Sequence, residues 1–139
     1  MALEFLNPES LGPRPRGYSN GVLGTGRILC IAGQIGWDEQ ERLVSGELAP
    51  QFRRALWNLR EVLRAAGGDP SMLARVTIYV VDKRQYLAAT KQVGEAWREI
   101  LGKHFPAMSL VQVADLLEEG ALVEVEATAI LPLASEQRS

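Results

Sequence analysis

The chain is poor in the residues that build covalent or metal-held scaffolds. It has one cysteine, Cys30, and one histidine, His104. No disulfide can close within it, and neither residue can assemble a metal site with others of its kind, so no metal is expected. Charge of either sign is also not in excess: 15 Lys and Arg stand against 17 Asp and Glu, a formal net charge of −2. A balance this even exerts no bulk attraction on nucleic acid or on an anionic membrane. No apolar run approaches the roughly 20 residues that span a bilayer. Met1 to Asn7 include Glu4 and do not resemble a signal peptide. The expectation is a cytoplasmic protein with no membrane partner and no nucleic-acid partner.

What is present suits one globular domain. The 139 residues are 47% hydrophobic and 23% charged, enough for a single core. Pro8, Gly12, Pro13 and Pro15 mark residues 1–16 as an N-terminal arm without regular structure. Residues 17–133 form the domain, and 134–139 are expected to be a flexible tail.

Within the domain, Tyr18 to Leu23 is a weak strand signal, and Arg27 to Ile35 a stronger one that is apolar at both parities. Leu48, Phe52, Ala55, Leu56, Leu59, Leu63 and Ala66 fall on one helical face. Pro50 fits only in that helix's first turn, and Gly67-Gly68 supplies its left-handed stop. Arg75 to Val81 reads as a strand. A second helix is predicted from Arg84 to Leu101, capped by Asp82, with Gly94 allowing close approach to a neighbouring strand. Met108 to Ala114 and the segment beginning at Val123 complete a β-β-α-β-α-β-β order. Right-handed crossovers put both helices on one face of one mixed sheet, an α+β fold. The opposite sheet face carries one parity of strands that are apolar at both, so packing between copies is expected.

Glu124 and Glu126, two apart on the last strand, point the same way roughly 6–7 Å apart. Buried carboxylates need partners, so the pair indicates a polar pocket or an inter-subunit network; the plainer alternative is an interface salt bridge to an arginine of the next copy. His104 is either a general base or a histidine meeting its helix's C-terminal dipole. Cys30 reads as a small buried hydrophobe. Gly21, Gly24 and Gly26 precede a strand and serve turns rather than phosphates. Arg53, Arg54, Arg60 and Arg64 form a solvated helix face, with a nucleic-acid stripe as the alternative. Trp37 walls a pocket or covers its own core.

Tyr18-Ser19-Asn20-Gly21, Ile31-Ala32-Gly33-Gln34-Ile35-Gly36, Ala65-Ala66-Gly67-Gly68, Phe105-Pro106-Ala107 and Val123-Glu124-Val125-Glu126-Ala127 together resemble the reactive-intermediate deaminase (RidA, formerly YjgF) family, from about Tyr18 to Pro132. The resemblance implies a chorismate-mutase-like fold and a homotrimer whose sheets form a central β-barrel with clefts between subunits. It implies hydrolysis of enamine or imine metabolites such as 2-aminoacrylate, with no cofactor. It assigns the water-positioning carboxylate to Glu124 and ligand contacts to Tyr18 and the backbone around Gly33; Gln34 and Trp37, beside that glycine, and Met108 are further candidate ligand contacts. In the family an arginine follows Phe-Pro-Ala and grips the substrate carboxylate. Here that residue is Met108, which carries no charge and donates no hydrogen bond. The expectation is a deaminase with altered substrate choice in a more apolar cleft. Arg14, Arg16 and Arg75 are candidate replacements for the missing charge. A non-catalytic small-ligand binder or sensor is the alternative, and an endoribonuclease a further one.

Overall fold

A computed structural model describes residues 2–134; all of the expected tail except Ala134 lies outside the described residues. The order is β1 (Glu4–Leu6), β2 (Gly21–Leu23), β3 (Arg27–Ile35), α1 (Leu48–Ala65), β4 (Leu73–Val80), α2 (Lys83–Ala88), α3 (Thr90–Leu101), β5 (Ala107–Gln112) and β6 (Val123–Leu131). Four strands form a mixed sheet in the order β3-β6-β4-β5. The β4–β5 pair is parallel, and β6 runs antiparallel to both its neighbours. The fold is α+β, as expected. The first strand of the expected order lies outside this sheet: β2 is only three residues long and pairs with β1 in a separate antiparallel ribbon. The arm therefore does contain a strand, which is too short to show a period and ends before Pro8.

The core fills the space between the sheet and the helices. Leu48, Phe52, Ala55, Leu56, Leu59 and Leu63 of α1 are buried, as the helical spacing requires. They meet Val76, Ile78 and Val80 of β4 and Val123, Val125, Ala127 and Ala129 of β6. At the end of α1, the Gly68 N–H donates to the Leu63 carbonyl (2.8 Å) and the Gly67 N–H to that of Arg64 (2.9 Å), with Gly67 at φ 81°. This nested pair is the glycine stop expected there.

The second helix is interrupted. Asp82 caps it through the Arg84 N–H at 2.9 Å, as expected, but the helix breaks at Ala89, between α2 and α3. The Thr90 hydroxyl donates to the Leu87 carbonyl at 3.3 Å, a local bond that competes with the helical ladder. Gly94 faces no strand: a Cβ there would meet the Arg98 guanidinium at 3.3 Å. Strand β5 stops at Gln112, short of the expected Ala114.

The sheet face away from the helices is more polar than the alternation implied. Ile28, Ile130 and Val111 share it with Cys30, Thr77, Tyr79, Glu124, Glu126 and Thr128. Cys30 is exposed there rather than buried.

Candidate functional site

The first half of the site is built by a bulge. Strand β3 pairs with β6 through Ile31↔Ala127 and then Gln34↔Val125, so Ala32 and Gly33 stand opposite Glu126 alone. Bulges of this kind bend a strand and re-aim its side chains. Gln34 is folded back on the bulge, its amide donating to the Ala32 carbonyl at 3.1 Å. The Glu124 side chain crosses directly over Gly33: a Cβ at Gly33 would lie 2.7 Å from Glu124 Cδ and 3.0 Å from its Oε1. Glycine is therefore required for the carboxylate to rest against this backbone. Glu124 is half-buried; its carboxylate accepts no hydrogen bond among the described residues. Glu126, two residues on, is committed to the Tyr79 hydroxyl. That hydrogen bond, with burial and the nearby carboxylates adding to it, raises the Tyr79 pKa above the ordinary phenol value.

The second half lies at the β5 edge. The Ser19 N–H donates to the Pro106 carbonyl (3.0 Å), its hydroxyl donates to the Phe105 carbonyl (2.7 Å), and Ser19 bridges to Ala107. These bonds seat Tyr18 beside Met108, and both line a cavity of about 470 Å³ with Arg16, Lys83 and Tyr86. A smaller cavity of about 220 Å³ adjoins it behind Met108, walled by Phe52, Tyr86, Val93, Trp97, Arg98 and Phe105. Burial raises the Tyr86 pKa, so its phenol stays neutral at physiological pH.

One protomer does not bring the halves together. Met108 is in register with Val76, on the helix-covered face, whereas Glu124 is in register with Tyr79, on the open face. Trp37 joins neither cavity at the β5 edge. Its backbone is tied to α1, where its carbonyl accepts from Arg54 (3.2 Å) and Asn58 (3.0 Å).

Other candidates have structural duties. His104 Nε2 lies 2.7 Å from the Leu73 carbonyl. A carbonyl only accepts, so that nitrogen carries the proton; the ring ties the 104 loop to the start of β4 rather than capping its own helix, and packs edge-on against Phe5. The α1 arginines are largely engaged: Arg53 with Glu99, Arg64 with Glu61, Arg60 with the Ile100 carbonyl and Arg54 with the Trp37 loop. Arg53 holds the Glu99 carboxyl below the usual carboxylate range.

Sequence reasoning missed Gln51. It is fully buried in the first turns of α1. Its amide nitrogen donates to the Ser45 carbonyl (2.8 Å) and the Gly120 carbonyl (3.0 Å), and its Oε1 accepts from the Leu122 N–H (2.8 Å). It thereby anchors β6 two residues before Glu124. Gly36 makes room for it, since a Cβ there would fall 2.4 Å from Gln51 Cα. A polar residue interrupting the buried face of α1 was the available signal.

The candidate site therefore has two parts: the Glu124 carboxylate laid on Gly33 at the bulge, and the cavities around Met108 at the β5 edge. The family model described as endoribonuclease L-PSP matches residues 11–131. The human protein named 2-iminobutanoate/2-iminopropanoate deaminase is 36% identical over 124 residues, spanning 88% of this chain and 83% of that one. A RutC family protein of Synechocystis is 32% identical over 122 residues, 86% of this chain and 91% of its own. Among solved structures, a conserved Rid family protein, YyfB, from Yersinia pestis superposes with a TM-score of 0.83 at 36% identity, covering 94% of this chain and 100% of that one. The YjgF gene product of E. coli gives a TM-score of 0.66 at 28% identity, covering 89% and 92%. The chain belongs to the endoribonuclease L-PSP family, which includes the RutC and RidA proteins.

Proposed function

We propose that this protein is a cofactor-independent deaminase of imine or enamine metabolites, acting as a homotrimer with clefts between subunits. The open sheet face, with Ile28, Val111 and Ile130 on it, is the surface by which copies pack. Each cleft then sets Gly33 and Glu124 of one copy against Tyr18 and Met108 of the next. The observation that carries this reading is the Glu124 carboxylate, resting on the Gly33 backbone with no hydrogen-bond partner among the described residues, in a chain 36% identical to an imine deaminase.

Its chemistry is hydrolysis. Glu124 orients a water molecule and accepts its proton as the oxygen bonds to the imine carbon. Glu124 passes that proton to the nitrogen, which completes the carbinolamine; it then takes the hydroxyl proton as the C=O bond forms and hands it to the nitrogen as the C–N bond breaks, and ammonia and the carbonyl product leave. The Tyr18 hydroxyl and the backbone at Gly33 and Gln34 hold the substrate, with Trp37 near the rim. Met108 stands where family members have an arginine and cannot pair with a carboxylate, so substrate choice differs from theirs.

The test is to mix the protein with freshly generated 2-aminoacrylate and a panel of other imines, following ammonia and keto-acid release. Turnover that disappears in Glu124→Gln while the oligomer persists is expected; equal rates in the two proteins would sink the assignment. Met108 favours one other reading, a sensor that binds a small metabolite without turning it over. Its mark is ligand binding with no ammonia released. The engaged arginines of α1 give an endoribonuclease reading no comparable support.

A further inference from the structure

Resting on the imine-deaminase reading of this cleft, we infer that Arg16 and Lys83 supply the carboxylate-binding charge that Met108 cannot, and that the preferred ligand is a 2-imino or 2-oxo acid bearing a branched aliphatic or aromatic side chain. Arg16 and Lys83 both line the cavity that contains Tyr18 and Met108, and no acidic residue lines it. Both are exposed, and neither has a salt-bridge partner among the described residues. The backbone of Lys83 is held: its N–H donates to the Gln112 side chain at 2.8 Å, which keeps the start of α2 beside β5.

The other candidate arginines lie elsewhere. Arg75 shares a cavity on the open sheet face with Cys30 and Glu126, whose carboxylate opposes any anion there. Arg14 lies on the other flank of Tyr18, with Lys103 and His104, away from Met108.

The apolar end of the ligand follows from the second cavity. It shares Gly17, Ile78, Tyr86 and Met108 with the first, so the two adjoin across these residues. At about 220 Å³ it exceeds several times the ~30 Å³ share of a water molecule. Gly94 forms part of its wall, which explains a glycine in mid-helix where no strand approaches. An arginine following Ala107 would bring its charge to the boundary of both cavities, since residue 108 lines each of them. Methionine instead keeps its own side of this space apolar; Arg98 stands on the α3 wall beside Gly94, and Arg16 and Lys83 stand at the first cavity. A ligand that fits has its carboxylate at Arg16 and Lys83 and its side chain behind Met108.

Calorimetric titration with 2-oxo acids, the stable products, tests this without relying on turnover. Pyruvate, 4-methyl-2-oxopentanoate, phenylpyruvate and the neutral amide of the second compound are the probes. The branched and aromatic acids should bind more tightly than pyruvate, by roughly fourfold per additional buried methylene. Arg16→Ala and Lys83→Ala should each weaken them about tenfold, the amide should bind no better than those variants do, and Lys91→Ala on α3 should change nothing. Met108→Arg should reverse the order in favour of pyruvate. Failure of every acid to bind, equal affinity for pyruvate and the larger acids, or indifference to both Arg16→Ala and Lys83→Ala would each overturn the inference. Binding in the expected order with no ammonia released from the matching imines would uphold it and refute the deaminase reading alone.

Discussion

Gln51→Leu is the most direct test of how the fold holds Glu124. The two side chains are similar in size, so the change removes hydrogen bonds without opening a large cavity. Three backbone groups lose their partner: the Ser45 and Gly120 carbonyls and the Leu122 N–H. Each polar group left unpaired in a buried position costs about 1–3 kcal/mol. Gly120 is exposed, so water replaces the amide there, whereas Ser45 and Leu122 are half-buried and lose more. Subtracting a modest gain from the added apolar contact leaves a destabilisation of about 2–4 kcal/mol. Urea unfolding at fixed protomer concentration reads it, because an oligomer's midpoint moves with concentration. With a slope of about 1–3 kcal/mol per molar, the midpoint should fall by roughly 1–2 M. Any surviving imine hydrolysis should fall as well, since β6 loses its anchor two residues before Glu124. A loss of stability below about 0.5 kcal/mol would show that the amide's bonds are replaced by solvent and that Gln51 does not anchor β6.

Gly36→Ala should cost about 1–3 kcal/mol, because its Cβ would press on Gln51 Cα and carbonyl oxygen, at 2.4 and 2.5 Å, and backbone cannot swing aside; Gly46→Ala, with nothing within 4 Å, should be near neutral in the same thermal melt. For Tyr79, the hydrogen bond to Glu126 raises the folded pKa above its ordinary value. The neutral phenol is therefore the form the fold favours, and its contribution to stability is complete below the ordinary tyrosine pKa and lost as pH rises through the higher folded one. Ultraviolet titration should find two tyrosines, Tyr79 and Tyr86, ionising late in the native protein, and one of them earlier in Glu126→Gln; coincident curves would dismiss the pair.

The parts of the fold legible in the sequence are those with a long uninterrupted period. Leu48 to Leu63 marks α1 because one wrong residue among many does not erase a helical stripe, and the alternation of Val123 to Ala129 marks β6 for the same reason. Gly67-Gly68 and Asp82 were legible because each has a backbone task that few residues perform. The ribbon of β1 and β2 was not, since three-residue strands carry no period. The break at Ala89 was hidden by a pattern that suits one helix from Arg84 to Leu101. It shows only once the Thr90 hydroxyl is seen to take the Leu87 carbonyl.

The site divides along the same line. Glu124 and Gly33 lie in blocks whose chemistry is unusual for strands, an acid pair and a glycine, and the bulge joins them. Nothing in the pattern near Ala32 announces that bulge, and the reason for a glycine at 33 shows only in three dimensions: a side chain there would collide with Glu124. Met108 stood out as a departure from a family pattern, but the departure alone leaves open whether charge was lost or moved. Register decides where to look. Pairing with Val76 turns Met108 toward the helices, where Arg16, Lys83 and Tyr18 gather, while pairing with Tyr79 turns Glu124 to the opposite face. The case for an oligomer shifts accordingly. The open sheet face carries Tyr79, Glu124, Glu126 and Thr128 among its apolar residues, so uncovered apolar area is a weaker reason than the alternation implied. The stronger one follows from the proposed function: if the Glu124 carboxylate on one face and the Met108 cavity on the other serve one substrate, they come from different copies.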